Sequence, residues 1–252
     1  MNMRYGWRAR IGHIAPAILD TSAEEFRKLL PEGVLHVGLT ISEPIQTLGA
    51  EQAAAAFERM VDAGKRLARE QVDVIVCGGA PVALSRGPGG DAELSEMLRR
   101  ETGLPVVTAN GAVVEALKLL GARSLVAVSP FLESRNQEIR NFLQASGFRV
   151  LAAQGLGLVH NIDFASQSPE AAYHLARQTA AAHCEAEAIY IACPRWPVVD
   201  IIAALEADTG KPVVAAAAAM VWGALKVLGI GDSQPGYGRL MESLQTFPLL
   251  RQ

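Results

Sequence analysis

The second half of this chain repeats the first, and that repeat restricts the fold more than any single motif does. Residues 103–121 read GLPVVTANGAVVEALKLLG, and residues 210–229 read GKPVVAAAAAMVWGALKVLG, a match broken by one inserted residue. Upstream, VDVIVCGG (72–79) corresponds to AEAIYIACP (186–194), each an apolar run ending in a cysteine followed by a helix breaker. RIGHIAPAILD (10–20) likewise resembles RSLVAVSPFLE (123–133), each stopping at a proline, Pro16 or Pro130. A duplication of this length means two copies of one supersecondary unit, so it is read before any motif.

Each copy reads as four βα units. Strands are predicted at Ile11–Ala15, Leu35–Ile41, Val72–Cys77 and Pro105–Thr108, then at Leu125–Ser129, Arg149–Gln154, Ala188–Cys193 and Pro212–Ala216. Helices of the first copy are predicted at Thr21–Leu30, Ala50–Glu70, Asp91–Glu101 and Gly111–Leu120. In the second of these, Ala54, Phe57, Met60, Val61, Gly64 and Leu67 recur at helical spacing on one face. Short continuous apolar strands alternating with helices imply parallel sheets covered on both faces. The expected fold is therefore α/β: two pseudo-symmetric, doubly wound lobes with four-stranded parallel sheets and an active site in the cleft between them. The first lobe is expected to span 1–120, with the C-terminal segment 230–252 packing back on it, and the second 121–229.

Ligands of such sheets bind outside the carboxyl ends of the strands. The repeat places Cys77 and Cys193 at the ends of equivalent strands, so a pseudo-twofold axis would bring the two thiols face to face across one cleft. Cys77 precedes Gly78 and Gly79, and Cys193 precedes Pro194, Arg195, Trp196 and Pro197, with a helix expected to begin near Pro197. Helix dipoles and nearby amides are expected to stabilise both thiolates. Two facing thiols can move protons on and off opposite faces of a carbon, or one can add to a double bond while the other supplies a proton. A single thiol suffices to protonate the carbanion left by loss of CO₂. Cys184, at a helix end, is assigned no chemistry.

Other classes are disfavoured. The net charge of −3 is interspersed rather than blocked, with no basic patch for nucleic acid. No signal peptide is apparent, and the longest apolar run, Pro212–Leu225, is too short to span a bilayer, so no membrane association and a cytoplasmic location are expected. The three cysteines lack metal-ligand spacing, and a disulfide framework is not expected in a reducing compartment. No metal and no cofactor are expected: the GPGG run at 87–90 lacks a phosphate-loop lysine and reads as a loop at the cleft mouth. His13 reads as a core histidine with its hydrogen bonds satisfied, and His160 as a residue outside the site. The apolar segment Val221–Leu228 points to a homodimer or a higher homo-oligomer.

At these residues the sequence resembles the aspartate/glutamate racemase superfamily, in the branch of maleate cis–trans isomerases and arylmalonate decarboxylases. The resemblance runs through RIGHIAP, VIVCGG, the SRG at 85–87, GLPVVT, ACPRWP and PGYGRL at 235–240. It implies a cofactor-independent enzyme acting on a small carboxylate, with Cys77 as nucleophile and Cys193 as acid in maleate-type isomerisation. Decarboxylases of the branch keep only the second cysteine, with glycine at the first, and malonate-type decarboxylation with Cys193 as proton donor is the alternative. A small-acid binding protein without catalysis is the third reading. The resemblance implies a substrate-carboxylate contact from Asn161, and Pro16, Phe131 and Pro194 are the other expected substrate contacts. The family's hydroxyl donors are missing, because Gly78, Gly79 and Ala80 follow Cys77 and Phe131 stands where tyrosine is common. Backbone amides at Gly78 and Gly79, with Ser129 and Arg195, are the expected replacements.

Overall fold

The computed structural model describes residues 5–41, 50–87 and 89–246. The first lobe runs β1 (Ala9–Ala15), α1 (Ser22–Leu29), β2 (Val34–Thr40), α2 (Ala50–Arg69), β3 (Val74–Cys77), α3 (Ala80–Leu84), α4 (Gly90–Thr102), β4 (Val106–Thr108) and α5 (Ala109–Leu119). The second runs β5 (Ser124–Phe131), α6 (Glu133–Ala145), β6 (Arg149–Leu158), α7 (Asn161–Ala165), α8 (Pro169–Ala182), β7 (Ala188–Ile191), a 3₁₀ turn at Val199–Ile201, α9 (Ile202–Thr209), β8 (Val213–Ala215) and α10 (Ala216–Val227). A short helix, α11 (Gly238–Glu242), follows. No helix of the described residues is long and apolar enough to cross a membrane.

Both sheets are four-stranded and parallel, ordered β2-β1-β3-β4 and β6-β5-β7-β8. The strand order reverses between β1 and β3 and again between β5 and β7, so each lobe has its crevice beyond those carboxyl ends. The registers also repeat. Ile11 lies opposite Val74 and Ile14 opposite Cys77; in the second lobe Leu125 lies opposite Ala188 and Val128 opposite Ile191.

The repeated α5 and α10 pack on each other where the lobes meet, and α10 also touches α1, β3 and β4. From Ala216 to Leu225 every residue of α10 is buried, which explains why the helix is apolar all round. A Cβ on Gly223 would come within 3.0 Å of Val107, so a larger residue there would push α10 off the first lobe. The apolar stretch read as an oligomer contact, Val221–Leu228, is thus mostly the core of the chain itself, and Ala217–Ala219 serve close packing.

Of the C-terminal segment 230–252, expected to pack back on the first lobe, residues 247–252 lie outside the described residues, and the described part contacts both lobes. Glu206 of α9 accepts hydrogen bonds from the amides of Val213 (2.8 Å) and Arg239 (2.9 Å), and Arg239 also donates to the carbonyl of Gly210. Gly238, at φ +85°, lies so close to α9 that an added Cβ would meet Ile202 at 2.4 Å. The Tyr237–Arg239 motif therefore fastens onto the second lobe. An Arg8–Asp232 ion pair still links the segment to the first.

Candidate active site

A cavity of about 70 Å³ lies between the lobes, lined from both sides at the carboxyl ends of their sheets. From the first lobe come Pro16, Gly78 and Gly79; from the second come Phe131, Cys193, Pro194 and Arg195. Of the ten expected site residues, the fold brings these seven together. Cys77, Ser129 and Asn161 do not line the cavity.

Cys77 is the most consequential of the three. The amide of Gly78 donates to Ile14 O (2.9 Å), as that of Ala192 donates to Val128 O (2.8 Å). Together with the strand registers, this equates Cys77 with Ile191, Gly78 with Ala192, and Gly79 with Cys193. Both members of the last pair have left-handed backbones, Gly79 at φ +76° and Cys193 at φ +87°. Cys77 is the last residue of β3, whereas β7 ends two residues before Cys193. The Cys77 side chain joins Ile75 on the sheet face covered by Phe57, Met60 and Leu98 of α2 and α4, within the core. The expected equivalence of the two cysteines is therefore corrected: the counterpart of Cys193 is a glycine.

Ser129 is consumed by the turn after β5. Its hydroxyl donates to Asn136 Oδ1 (2.5 Å) and accepts from the Phe131 amide (3.0 Å). Asn161 begins α7 because β6 continues to Leu158, beyond its predicted end, and its Oδ1 is buried without a partner among the described residues. The Gly78 amide, bonded to Ile14, is not available as an oxyanion donor.

Cys193 is 4% exposed, in a loop clamped by α1 of the other lobe. The Thr21 hydroxyl donates to Arg195 O, and Glu25 accepts the amides of Val198 and Val199, both at 2.8 Å. Those two amides open the 3₁₀ turn that precedes α9, so this N-terminus points at Glu25 and not at the thiol. The helix expected near Pro197 begins later, and its dipole does not lower the thiol. Burial pushes the Cys193 thiol up, opposed by the Arg195 guanidinium and the amides of Arg195 and Trp196. Burial also pushes up Cys77, with Asp91 adding to the effect. Both rest as neutral thiols, contrary to the expected thiolates.

Arg195 is 4% exposed, and its Nη1 has no partner among the described residues. A buried guanidinium with an unpaired donor is costly without an anion. Beside a cavity this arrangement suits a substrate carboxylate.

The sequence reading missed His13, which lines the cavity with Asp20, Asn110 and Tyr190. Its Nδ1 lies 3.1 Å from His36 Nε2, but its Nε2 is buried without a partner among the described residues, so it is not the satisfied core histidine expected. The signal available was its position in β1, on the strand flanking the crevice. Gly87 and Gly89 line a larger hollow of about 610 Å³ that shares Arg135 and Phe142 with the inner cavity, as expected for a loop at its mouth.

The model of the arylmalonate decarboxylase family matches residues 25–241. An arylmalonate decarboxylase of Bordetella bronchiseptica is 28% identical over 75% of this chain and 79% of its own length. A maleate isomerase of Pseudomonas putida is 27% identical over 92% of this chain and 96% of its own length. Among solved structures, the maleate isomerase Iso from Pseudomonas putida S16 superposes with a TM-score of 0.84 at 24% identity, covering 94% of this chain and 99% of the other. An arylmalonate decarboxylase variant superposes with a TM-score of 0.82 at 25% identity over 92% and 98%. In that variant a glycine is replaced by cysteine and a cysteine by serine, two positions as far apart in its chain as Gly79 and Cys193 are in this one.

Proposed function

The chain belongs to the arylmalonate decarboxylase family, and we propose that it protonates a carbanion formed next to the carboxylate of a small carboxylic acid, with Cys193 as the proton donor. The observation that carries this reading is the single thiol in the cleft, opposite a glycine. Loss of CO₂ from a malonate-type acid leaves its electron pair delocalised into the remaining carboxylate. The Cys193 S–H bond then breaks, its proton bonds to carbon, and the thiolate is left beside Arg195. A buried thiol that rests protonated suits a donor, and the guanidinium and two amides that oppose its raised pKa stabilise the charge it acquires. Arg195 Nη1 holds the retained carboxylate. Phe131, Ile139 and Phe142 give the cavity an apolar wall for the rest of the substrate. None of these steps requires a cofactor.

Maleate cis–trans isomerisation is the second reading, and the maleate isomerase relatives support it, including one that aligns over 92% of this chain. It needs a nucleophile to add to the alkene and a donor to protonate the adduct, and Cys193 supplies one of the two. Proton NMR in D₂O with phenylmalonate and maleate in parallel separates the readings. Deuterated phenylacetate supports decarboxylation, and fumarate supports isomerisation. Inertness toward both removes the proposal.

A further inference from the structure

Cys193 serves the cavity from the second lobe, while its counterpart Gly79 brings no side chain from the first. The first lobe offers another group there. His13 is 1% exposed, lines the same cavity, and has an Nε2 with no partner among the described residues. A Cβ built on Gly78 would lie 3.3 Å from this Nε2, so the unpaired edge of the ring faces the loop that carries Gly79. The other edge is anchored, with Nδ1 at 3.1 Å from His36 Nε2 and 3.7 Å from Asp20 Oδ2. The ring stacks on Phe26 at 4.6 Å between centroids. A carboxylate beside Nδ1 favours the tautomer protonated there, which leaves the lone pair on Nε2. Unpaired buried polar atoms are rare, and one at a cavity wall is explained by a group that enters the cavity.

We infer that His13 is the first lobe's proton-transfer group, its Nε2 taking the hydrogen from the carbon next to the substrate carboxylate on the face opposite Cys193. The inference rests on Cys193 acting as proposed above. The C–H bond breaks toward Nε2, and the electron pair stays in the enediolate. The S–H bond of Cys193 breaks to protonate the other face. Asp20 then faces an imidazolium, and Arg195 faces a thiolate. One proton lost to water from Nε2 and one gained from water by the thiolate restore the start. The net result is inversion at carbon with uptake of solvent hydrogen; run in reverse, the Cys193 thiolate takes the hydrogen and the His13 imidazolium returns one, so the chain interconverts the two enantiomers of a 2-aryl acid.

The test offers each enantiomer of 2-phenylpropionate to the full chain in D₂O, following α-deuterium by proton NMR and configuration by chiral chromatography, with phenylmalonate decarboxylation run in parallel. Both enantiomers are expected to acquire deuterium at the inverted centre and to proceed to the racemate. His13→Gln, which retains a polar group to face His36, is expected to slow this about 100-fold or more. Asp20→Asn keeps the ring in place, removes the charge behind it, and is expected to slow exchange in the same direction should His13→Gln fail to fold. Exchange at wild-type rate in folded variants overturns the inference. So does an unmodified chain that decarboxylates phenylmalonate yet never exchanges 2-phenylpropionate. Absence of both reactions overturns the Cys193 reading with it.

Discussion

Gly79 and Cys193 occupy the same place in the two lobes, each two residues beyond its central strand's equivalent position and each with a left-handed backbone, φ +76° and φ +87°. The glycine adopts this conformation without cost. The cysteine adopts it at about 1–2 kcal/mol, which the surrounding clamp from α1 must hold. A non-glycine residue strained at the wall of a cavity is a mark of function, and here it is the thiol proposed as the proton donor.

Replacing Cys193 separates that strain from the chemistry. Cys193→Ala and Cys193→Gly both remove the thiol and are expected to abolish turnover. Cys193→Gly also relieves the left-handed strain, so it should be about 1 kcal/mol more stable than Cys193→Ala in urea unfolding. Equal stability would show that the loop adopts another backbone in solution.

Gly79→Cys would install a thiol at the pseudo-symmetric position. An added Cβ would meet Met60 Cε at 3.2 Å and Pro16 Cβ at 3.4 Å, contacts that the flexible methionine can relieve. The left-handed φ costs about 1–2 kcal/mol. The variant is expected to fold with a lowered Tm and to exchange α-hydrogen from the first lobe's side faster than the wild type, as measured by deuterium uptake. A folded variant with no gain would mean that position 79 does not reach the substrate.

Arg195→Met should raise KM for a carboxylate substrate and lower kcat, because the guanidinium is proposed both to hold the carboxylate and to offset the buried thiolate. A loss of about 100-fold in kcat/KM is the scale expected from one preorganised cationic donor. The pH profile of Cys193 alkylation should move upward in the same variant, since a neighbouring positive charge is removed. A profile left in place would separate Arg195 from the thiol.

Stability should depend on pH in a defined window. Burial lowers His13 from its ordinary 6.5 to about 4. Between those values the unfolded chain binds a proton that the native state refuses, so stability falls as pH drops from 6.5 toward 4. His13 accounts for about 3 kcal/mol of this at most, and His36, lowered by burial and by His13, adds in the same direction. The raised thiols Cys77 and Cys193 act oppositely, so stability also declines above about 9, where the unfolded chain releases thiol protons first. Urea unfolding from pH 4 to 10 checks both limbs. Because burial raises Glu25, Asp91 and Glu206, which act against the histidines in this window, the His13 share is read as the difference from His13→Gln, and an acid limb that this substitution leaves unchanged would place His13 in contact with water.

Much of this was legible in the sequence. The repeat and its apolar strands were sufficient for two parallel four-stranded sheets, because strands buried on both faces need continuous apolar runs. The cleft followed from where such sheets place their crevices. The cysteine pairing failed because both apolar runs end in Cys, whereas strand pairing is set by backbone register, and a shift of two residues moves a side chain from the cavity wall to the core. Asp73 and Glu187 were the better anchors. Asp73 accepts the amide of Arg10 and Glu187 those of Arg123 and Ser124, at the start of the neighbouring strand, and the two stand in the same register as Gly79 and Cys193. His13 was illegible because only tertiary packing shows which nitrogen of a strand histidine is left unpaired. The second lobe's hold on the described part of the C-terminal segment was illegible for a similar reason, since nothing local reveals that Glu206 captures Arg239.

If Cys193 alone performs the chemistry and Cys77 belongs to the core, the two cysteines respond differently to replacement. Parallel assays of Cys77→Ala and Cys193→Ala against phenylmalonate and maleate, with folding checked by circular dichroism, test it most directly. Cys77→Ala is expected to lose about 1–2 kcal/mol of stability and to keep turnover within about twofold, while Cys193→Ala loses turnover by about 100-fold or more. A folded Cys77→Ala protein that has lost turnover, or a Cys193→Ala protein that retains it, would mean that Cys193 is not the thiol on which turnover depends alone.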